Sequence, residues 1–319
     1  MELIKIEPLD PCLMEECTLT EEECDQLLQE INNIVSSSDD TSVNKVVREA
    51  ISPETIATIA TVGASGVLLI IAMIRKFIKN KYSMNVKRIL DQSKEINDMY
   101  TKIEYLLKND KMARFKHRND TIKTELKYVI LQDTLDGKMY NVTSDFLAYD
   151  SDVIMQNIRT IMNYIDSSHM TPEEEKNSLD AWVNSQINSL QNSFIQNHWY
   201  TTRCKPLMKT EVYNAVKIEK AIVHFKNNFG SIYQYIGSLN KLISTEMTYL
   251  QLVEKSYKSA ISMYGTNSTR KESIDKLFKK ILELATNSIT FNSSILDMMV
   301  ECVTYYANEL ERIYNILRQ

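Results

Sequence analysis

Glycine and proline are scarce, at six and five residues in a chain of 319. Pro8, Pro11 and Pro53 all precede residue 55, so the remainder is nearly free of the residues that punctuate turns and strands. That excludes an architecture of many short strands and predicts long helices. Cysteine is sparse too: Cys12, Cys17, Cys24, Cys204 and Cys302 are too few and too uneven for a disulfide framework, which makes a reducing compartment the default. The first three share an acidic region without a nearby histidine and read as ordinary thiols rather than a zinc site. His117, His169, His198 and His224 are scattered, none with a second His at i+3 or i+4. The chain also lacks a GxxxxGK[ST] loop, a GxGxxG turn, a GxSxG elbow and a CxxC pair. No catalytic residue, cofactor, metal or small-molecule substrate is therefore expected, and the expectation is a protein that is not an enzyme. The acidic N-terminus has no apolar core of the kind a signal peptide needs.

Positive charge is in slight deficit, with 37 basic against 42 acidic residues and a net of −5, so no nucleic-acid partner is expected. The charge is unevenly placed. Residues 1–54 hold fourteen acidic side chains against Lys5, Lys45 and Arg48, whereas Arg75 to Lys127 holds fifteen basic against seven acidic. The step falls on one feature the chain does have, the charge-free run from Ile56 to Ile74. Within it Ile56, Ile59, Val62, Leu68, Leu69, Ile70, Ile71 and Ile74 supply the apolar surface, and Gly63 and Gly66 beside Ala60 and Ala64 permit close helix contact. As a helix the run would extend about 28 Å, close to the hydrocarbon thickness of a bilayer. Thr55 to Ile74 is thus a candidate membrane-spanning helix, the alternative being a fully buried core helix. Arg75, Lys76, Lys79 and Lys81 form its basic flank and place the C-terminal bulk on the cytoplasmic side if the segment spans.

The rest reads as helices with one exception. Thr20 ahead of Glu21, Glu22 and Glu23 starts an amphipathic helix that fades at Ser36–Asp40; Tyr82 to Lys108 and Thr171 to about His198 give two more. The basic cluster Lys111, Arg114, Lys116, His117 and Arg118 reads as a solvated helix end, with an acidic-lipid patch as the alternative. Between Lys127 and Thr143, Tyr128–Leu131 and Met139–Val142 flank Asp136-Gly137 and predict a short β-hairpin. Downstream, Ile232, Ile236, Leu239, Ile243, Glu246, Leu250, Val253, Tyr257, Ala260 and Tyr264 follow spacings of four and three, the seam of a coiled coil or long bundle helix. Glu246 is its one charged member. Gly265–Ser268 makes a turn, Ile274 to Leu284 carries another helix, and a second seam runs through Ile295, Met299, Cys302, Tyr306, Glu309, Ile313 and Ile316.

The expected fold is all-α, a long-helix bundle of coiled-coil character with a short β-hairpin near 127–143 and one candidate transmembrane helix. It divides into an acidic segment 1–54, the apolar helix and basic flank 55–81, a connector 82–148 and a bundle 149–319. In its richness in Ile, Asn, Lys and Tyr, with long heptad helices and a lone apolar helix, the chain resembles virion-associated proteins of large low-GC viruses, internal or structural proteins of large tailed phages above all. That resemblance implies a non-enzymatic role in a particle or at a host membrane. Three readings follow: a membrane-associated structural protein that self-associates or binds a protein partner through its helices; a pore-forming protein that stores the apolar helix in a bundle; and a cytoplasmic adaptor that simply buries residues 55–74.

Overall fold

Four helices begin where a side chain captures the free amides of the first turn. Thr20 and Glu23 close a capping box, with the Thr20 amide donating to Glu23 Oε2 at 2.7 Å and the Glu23 amide to Thr20 Oγ1 at 3.3 Å. Asp150 accepts from the amides of Asp152 and Val153, the Thr171 amide and hydroxyl donate to Glu174, and Asn267 accepts from the amides of Thr269 and Arg270. The computed structural model describes residues 19–36, 66–109, 120–131, 150–197 and 205–319, with 131, 197, 231–237, 239 and 240 as backbone. In order these form α1 (Glu21–Ser36), α2 (Gly66–Phe77), a π turn (Ile78–Tyr82), α3 (Ser83–Asn109), β1 (Thr121–Leu131), α4 (Ser151–Ser168), α5 (Pro172–Asn197), β2 (Pro206–Lys217), α6 (Ile218–Tyr264) and α7 (Ser268–Arg318).

α2, the π turn and α3 follow one another without a break. α7, with 51 residues, is the spine: it touches α1, α2, the π turn, α3, α5, α6 and both strands. It merges the two helices expected over Ile274–Leu284 and Ile295–Ile316, because no glycine or proline interrupts Ser268–Arg318. The turn expected at Gly265–Ser268 separates α6 from α7, with the Gly265 amide donating to the Ile261 carbonyl at 2.8 Å. Along the α6 seam Ile243, Glu246, Leu250, Val253, Tyr257 and Ala260 are buried, as are Ile295, Met299, Cys302, Tyr306 and Ile313 on α7. Ile232, Ile236 and Leu239 lie on α6, but their side chains fall outside the described residues.

One expectation needs correction, and a second finds no support among the described residues. The strand signal at Tyr128–Leu131 holds, but among the described residues the partner of β1 is β2. Tyr128 faces Lys209 and Ile130 faces Leu207 in an antiparallel pair running from Thr121↔Lys217 to Leu131↔Pro206. Met139–Val142 lies outside the described residues. The two strands of the ribbon bracket α4 and α5 in sequence, and the ribbon is anchored to α7 by Arg312, which donates to the Lys123 carbonyl at 2.8 Å, and by Tyr306 Oη, which donates to the Lys127 carbonyl. Secondly, among the described residues no helix is long and apolar enough to cross a membrane. Ile56, Ile59, Val62 and Gly63 lie outside them, and the part of the expected span that is described, Gly66 to Ile74, belongs to the 12-residue α2. Such a helix extends about 18 Å, short of the roughly 30 Å of a hydrocarbon core.

Candidate functional site

The most apolar stretch of the chain is enclosed by protein. Val67, Leu69, Ile70, Ile71, Met73, Ile74 and Phe77 of α2 are all buried, while Leu68 and Gly66 are half-buried. Three elements close over this helix: α1, through an apolar stripe of Cys24, Leu27, Ile31, Ile34 and Val35, together with α6 and α7. Burying seven large apolar side chains in twelve residues gives α2 a hydrophobic contribution far above that of a surface helix of equal length.

The basic flank does not lie free in solvent. Arg75 Nη1 donates to Glu254 Oε2 of α6 at 2.5 Å, and Lys258 shares that carboxylate. Lys76 contributes its carbonyl, which accepts from Asn80 Nδ2 at 2.8 Å, and Lys79 is half-buried. Lys81 is only 1% exposed and its ammonium lies 3.1 Å from Asp25 of α1, 3.2 Å from Asp297 of α7 and 3.6 Å from Glu21 of α1. Burial pulls the Lys81 ammonium toward neutrality, but the hydrogen bond to Asp25 and the charge of Asp297 outweigh it and hold the lysine above its ordinary range. Glu21 is held below the ordinary carboxylate range, chiefly by its hydrogen bond to Arg88.

The π turn makes this cage possible. Its wider winding carries the buried residues Asn80, Lys81 and Tyr82 consecutively to three different partners, where a surface α-helix would turn one of them to water. Asn80 Oδ1 accepts from the Leu19 amide at 3.2 Å, tying the entry of α1 to the turn. Tyr82 points inward, packs edge-on against Phe77 with centroids 6.3 Å apart, and donates to the Ile289 carbonyl at 3.1 Å.

Beyond Tyr82 lies Glu246, the charged member of the α6 seam. It is fully buried; Oε1 accepts from Asn292 Nδ2 at 3.1 Å and lies 3.4 Å from Tyr82 Oη, while Oε2 has no hydrogen-bond partner among the described residues. Burial without a cation pushes its carboxyl up to about 8, only partly opposed by the two hydrogen bonds. Lys81 and Glu246 therefore lie on consecutive faces of one joint, one solved by three counter-charges and the other by none. Glu309, the corresponding acid of the second seam, sits at the rim and pairs with Arg312 at 2.7 Å.

Other expected residues do not converge. His169 caps α4 in the left-handed conformation and His224 stacks on Tyr213, while His117, His198 and the basic cluster at 111–118 lie outside the described residues. Cys24 and Cys302 are buried thiols outside any disulfide, and burial pushes Cys302 up to about 12, away from nucleophilic character. Among the described residues no group of three or more His, Cys, Asp and Glu side chains is placed to hold a metal ion. The tyrosines of the seams are core: Tyr257 packs on Phe278 and donates to Asp275 at 2.7 Å, and Tyr306 packs on Phe225. Reasoning from sequence missed Lys81 as a buried group and missed Tyr82 and Asn292 altogether. The signal for Lys81 was its position within the continuing apolar pattern of Phe77, Ile78 and Tyr82. No known protein family, curated protein or solved structure matches this chain.

Proposed function

We propose that this chain is a non-enzymatic, membrane-active interaction protein that keeps its apolar segment stowed inside a helical bundle and presents it when the bundle opens. The observation that carries the reading is the seat of α2. The described half of the charge-free run is enclosed by α1, α6 and α7, and the flanking cations Arg75 and Lys81 are tied to carboxylates of those same elements. A passive anchor needs neither the enclosure nor the ties. A segment that must travel in water before meeting a bilayer needs both, because roughly 25 cal/mol is lost for each Å² of apolar surface left exposed. Release would free α2 together with residues 55–65, restoring the uncharged length that a bilayer requires. Ala60, Gly63, Ala64 and Gly66 then offer a small-residue face for self-association in the membrane. A virus particle that delivers such a protein to a host membrane suits the compositional likeness to virion proteins.

Dye release from vesicles of phosphatidylcholine, alone and mixed with phosphatidylserine, tests this over a pH series. Leakage by the full chain that is lost in the double variant Ile59→Lys, Val62→Lys, which interrupts the charge-free run, is the expected result. Absence of leakage from both vesicle types across the series would leave the adaptor reading, in which α2 is permanent core.

A further inference from the structure

Glu246, Tyr82 and Asn292 meet where the π turn, α6 and α7 pack together, and the geometry there poses a question of charge. The carboxyl is fully buried, its partners are neutral, and Oε2 has no partner among the described residues. Tyr82 has a single proton, and the Ile289 carbonyl at 3.1 Å holds it more closely than Glu246 Oε1 at 3.4 Å. An ionised Glu246 would therefore have one firm donor, the Asn292 amide, where a buried carboxylate needs a cation or several donors. Three cations of the elements packed around it are engaged elsewhere: Arg75 of α2 with Glu254 of α6, Lys81 of the π turn with Asp25, Asp297 and Glu21, and Lys280 of α7 with Glu283. No charged side chain pairs with Glu246 among the described residues.

We infer that Glu246 is a proton-operated lock on the π turn: while its carboxyl is neutral, Tyr82 and Asn292 hold the joint closed over α2, and its ionisation loosens the joint and the seat of the apolar helix. The site fits this role because Tyr82 ends the π turn that joins the stowed helix to α3, so water drawn in to solvate the carboxylate enters at the hinge itself. The raised ionisation of the carboxyl agrees with the geometry. The sign follows by linkage. The closed joint binds a proton that the open one releases, so closure is complete in mild acid, weakens as pH climbs through neutrality, and stops changing once the closed form itself has ionised near pH 8. Lys81 keeps its charge throughout that interval and does not contribute to the change.

The inference deepens the proposed stowage, but its test contains no membrane, so failure of one is distinguishable from failure of the other. Hydrogen exchange of the full chain, corrected for the intrinsic pH dependence of amide exchange, is followed from about pH 5 to about pH 9. In the wild type, protection over residues 75–90 is expected to fall by up to about tenfold per pH unit to near pH 8 and then level off. Protection in α4 and α5 should hold, and in Glu246→Gln the fall over 75–90 should vanish. Equal slopes in the two proteins, or a wild-type loss spread evenly over α4 and α5, would overturn the inference. If Glu246→Gln does not fold, the wild-type profile decides alone: a fall confined to the joint supports the lock, and a flat profile there refutes it.

Discussion

Seven of the twelve residues of α2 are buried, whereas in α5, more than twice as long, the buried residues among those described are Leu179, Val183 and Phe194. α5 presents polar side chains over most of its circumference and meets the bundle along a narrow line on α7 and α4. α2 is apolar on nearly every side and must be covered on nearly every side. The contrast separates two uses of a helix. α5 is held by a few contacts and by the capping of its first turn, and α2 by enclosure. Enclosure concentrates stability in a small segment and makes every neighbour of that segment a potential release point, which is why the unusual charge chemistry of the molecule gathers at its end.

The sharpest way to break the comparison is to hollow the seat of α2. Phe77→Ala removes a fully buried ring wedged against Tyr82 and should cost about 3–5 kcal/mol by urea denaturation. Ile195→Ala on the exposed face of α5 should change stability by less than about 0.5 kcal/mol. Similar costs for the two would mean that α2 is not enclosed as described.

Replacing the unpaired acid should act in the opposite direction. Glu246→Leu is expected to raise stability by roughly 1–3 kcal/mol near pH 8, because it removes a buried polar group lacking a counter-charge while Tyr82 keeps the Ile289 carbonyl. The wild-type carboxyl ionises at about 8 when folded and in the ordinary carboxylate range when unfolded, so wild-type stability is highest below that range and declines as pH rises toward 8. The advantage of leucine should therefore shrink steadily toward pH 5. Melting curves of the two proteins that run parallel from pH 5 to pH 8 would place Glu246 in contact with water.

Lys81 offers a smaller effect of a different kind. Lys81→Met keeps the apolar stem and deletes the ammonium, leaving Asp25, Asp297 and Glu21 to face one another. These carboxylates are each two-fifths exposed or more and can regain water, so the loss should be about 1–2 kcal/mol rather than the larger cost of stranding a fully buried charge. The loss should be accompanied by faster proteolysis of α1, since two of the three carboxylates belong to it. Unchanged α1 cleavage would show that the cage does not hold that helix down.

Much of this arrangement was legible because it is local. Thr20 and Glu23 lie three residues apart, the turn at Gly265–Ser268 is self-contained, and the alternation of Ile243, Glu246, Leu250, Val253 and Tyr257 states which face is inward. What could not be read depends on distant partners. β1 carries a strand signal, and the nearest turn residues, Asp136-Gly137, favour a local return, whereas its partner among the described residues is Pro206–Lys217, beyond two whole helices. Likewise the basic flank looks in one dimension like a membrane-proximal charge cluster. Only the folded chain brings Glu254 to Arg75 and brings Asp25 and Asp297, from opposite ends of the sequence, to Lys81.

The smallest effect belongs to the α6–α7 turn, where a single amide side chain has two duties. Asn267 Oδ1 accepts from the amides of Thr269 and Arg270 at 2.9 and 3.2 Å, capping α7, while Nδ2 donates to Glu175 of α5 at 3.3 Å. Arg270, in the first turn of α7, also holds Glu175 at 2.7 Å and Asp166 of α4 at 2.7 Å, so the cap sits at the junction of four helices. Asn267→Ala deletes both duties and should cost about 1 kcal/mol, the usual worth of a cap. Asn267→Asp separates them. It preserves the acceptor and adds a charge favoured at a helix N-terminus, but it sets a second carboxylate against Glu175 in place of a donor. If capping dominates, the aspartate variant should match the wild type within a few tenths of a kcal/mol. If the tie to α5 dominates, it should fall with the alanine variant and recover in part as salt is added, because repulsion between charges near the surface is screened over about 10 Å at 0.1 M salt. Urea titrations of the three proteins at low and high ionic strength read out which duty holds the turn.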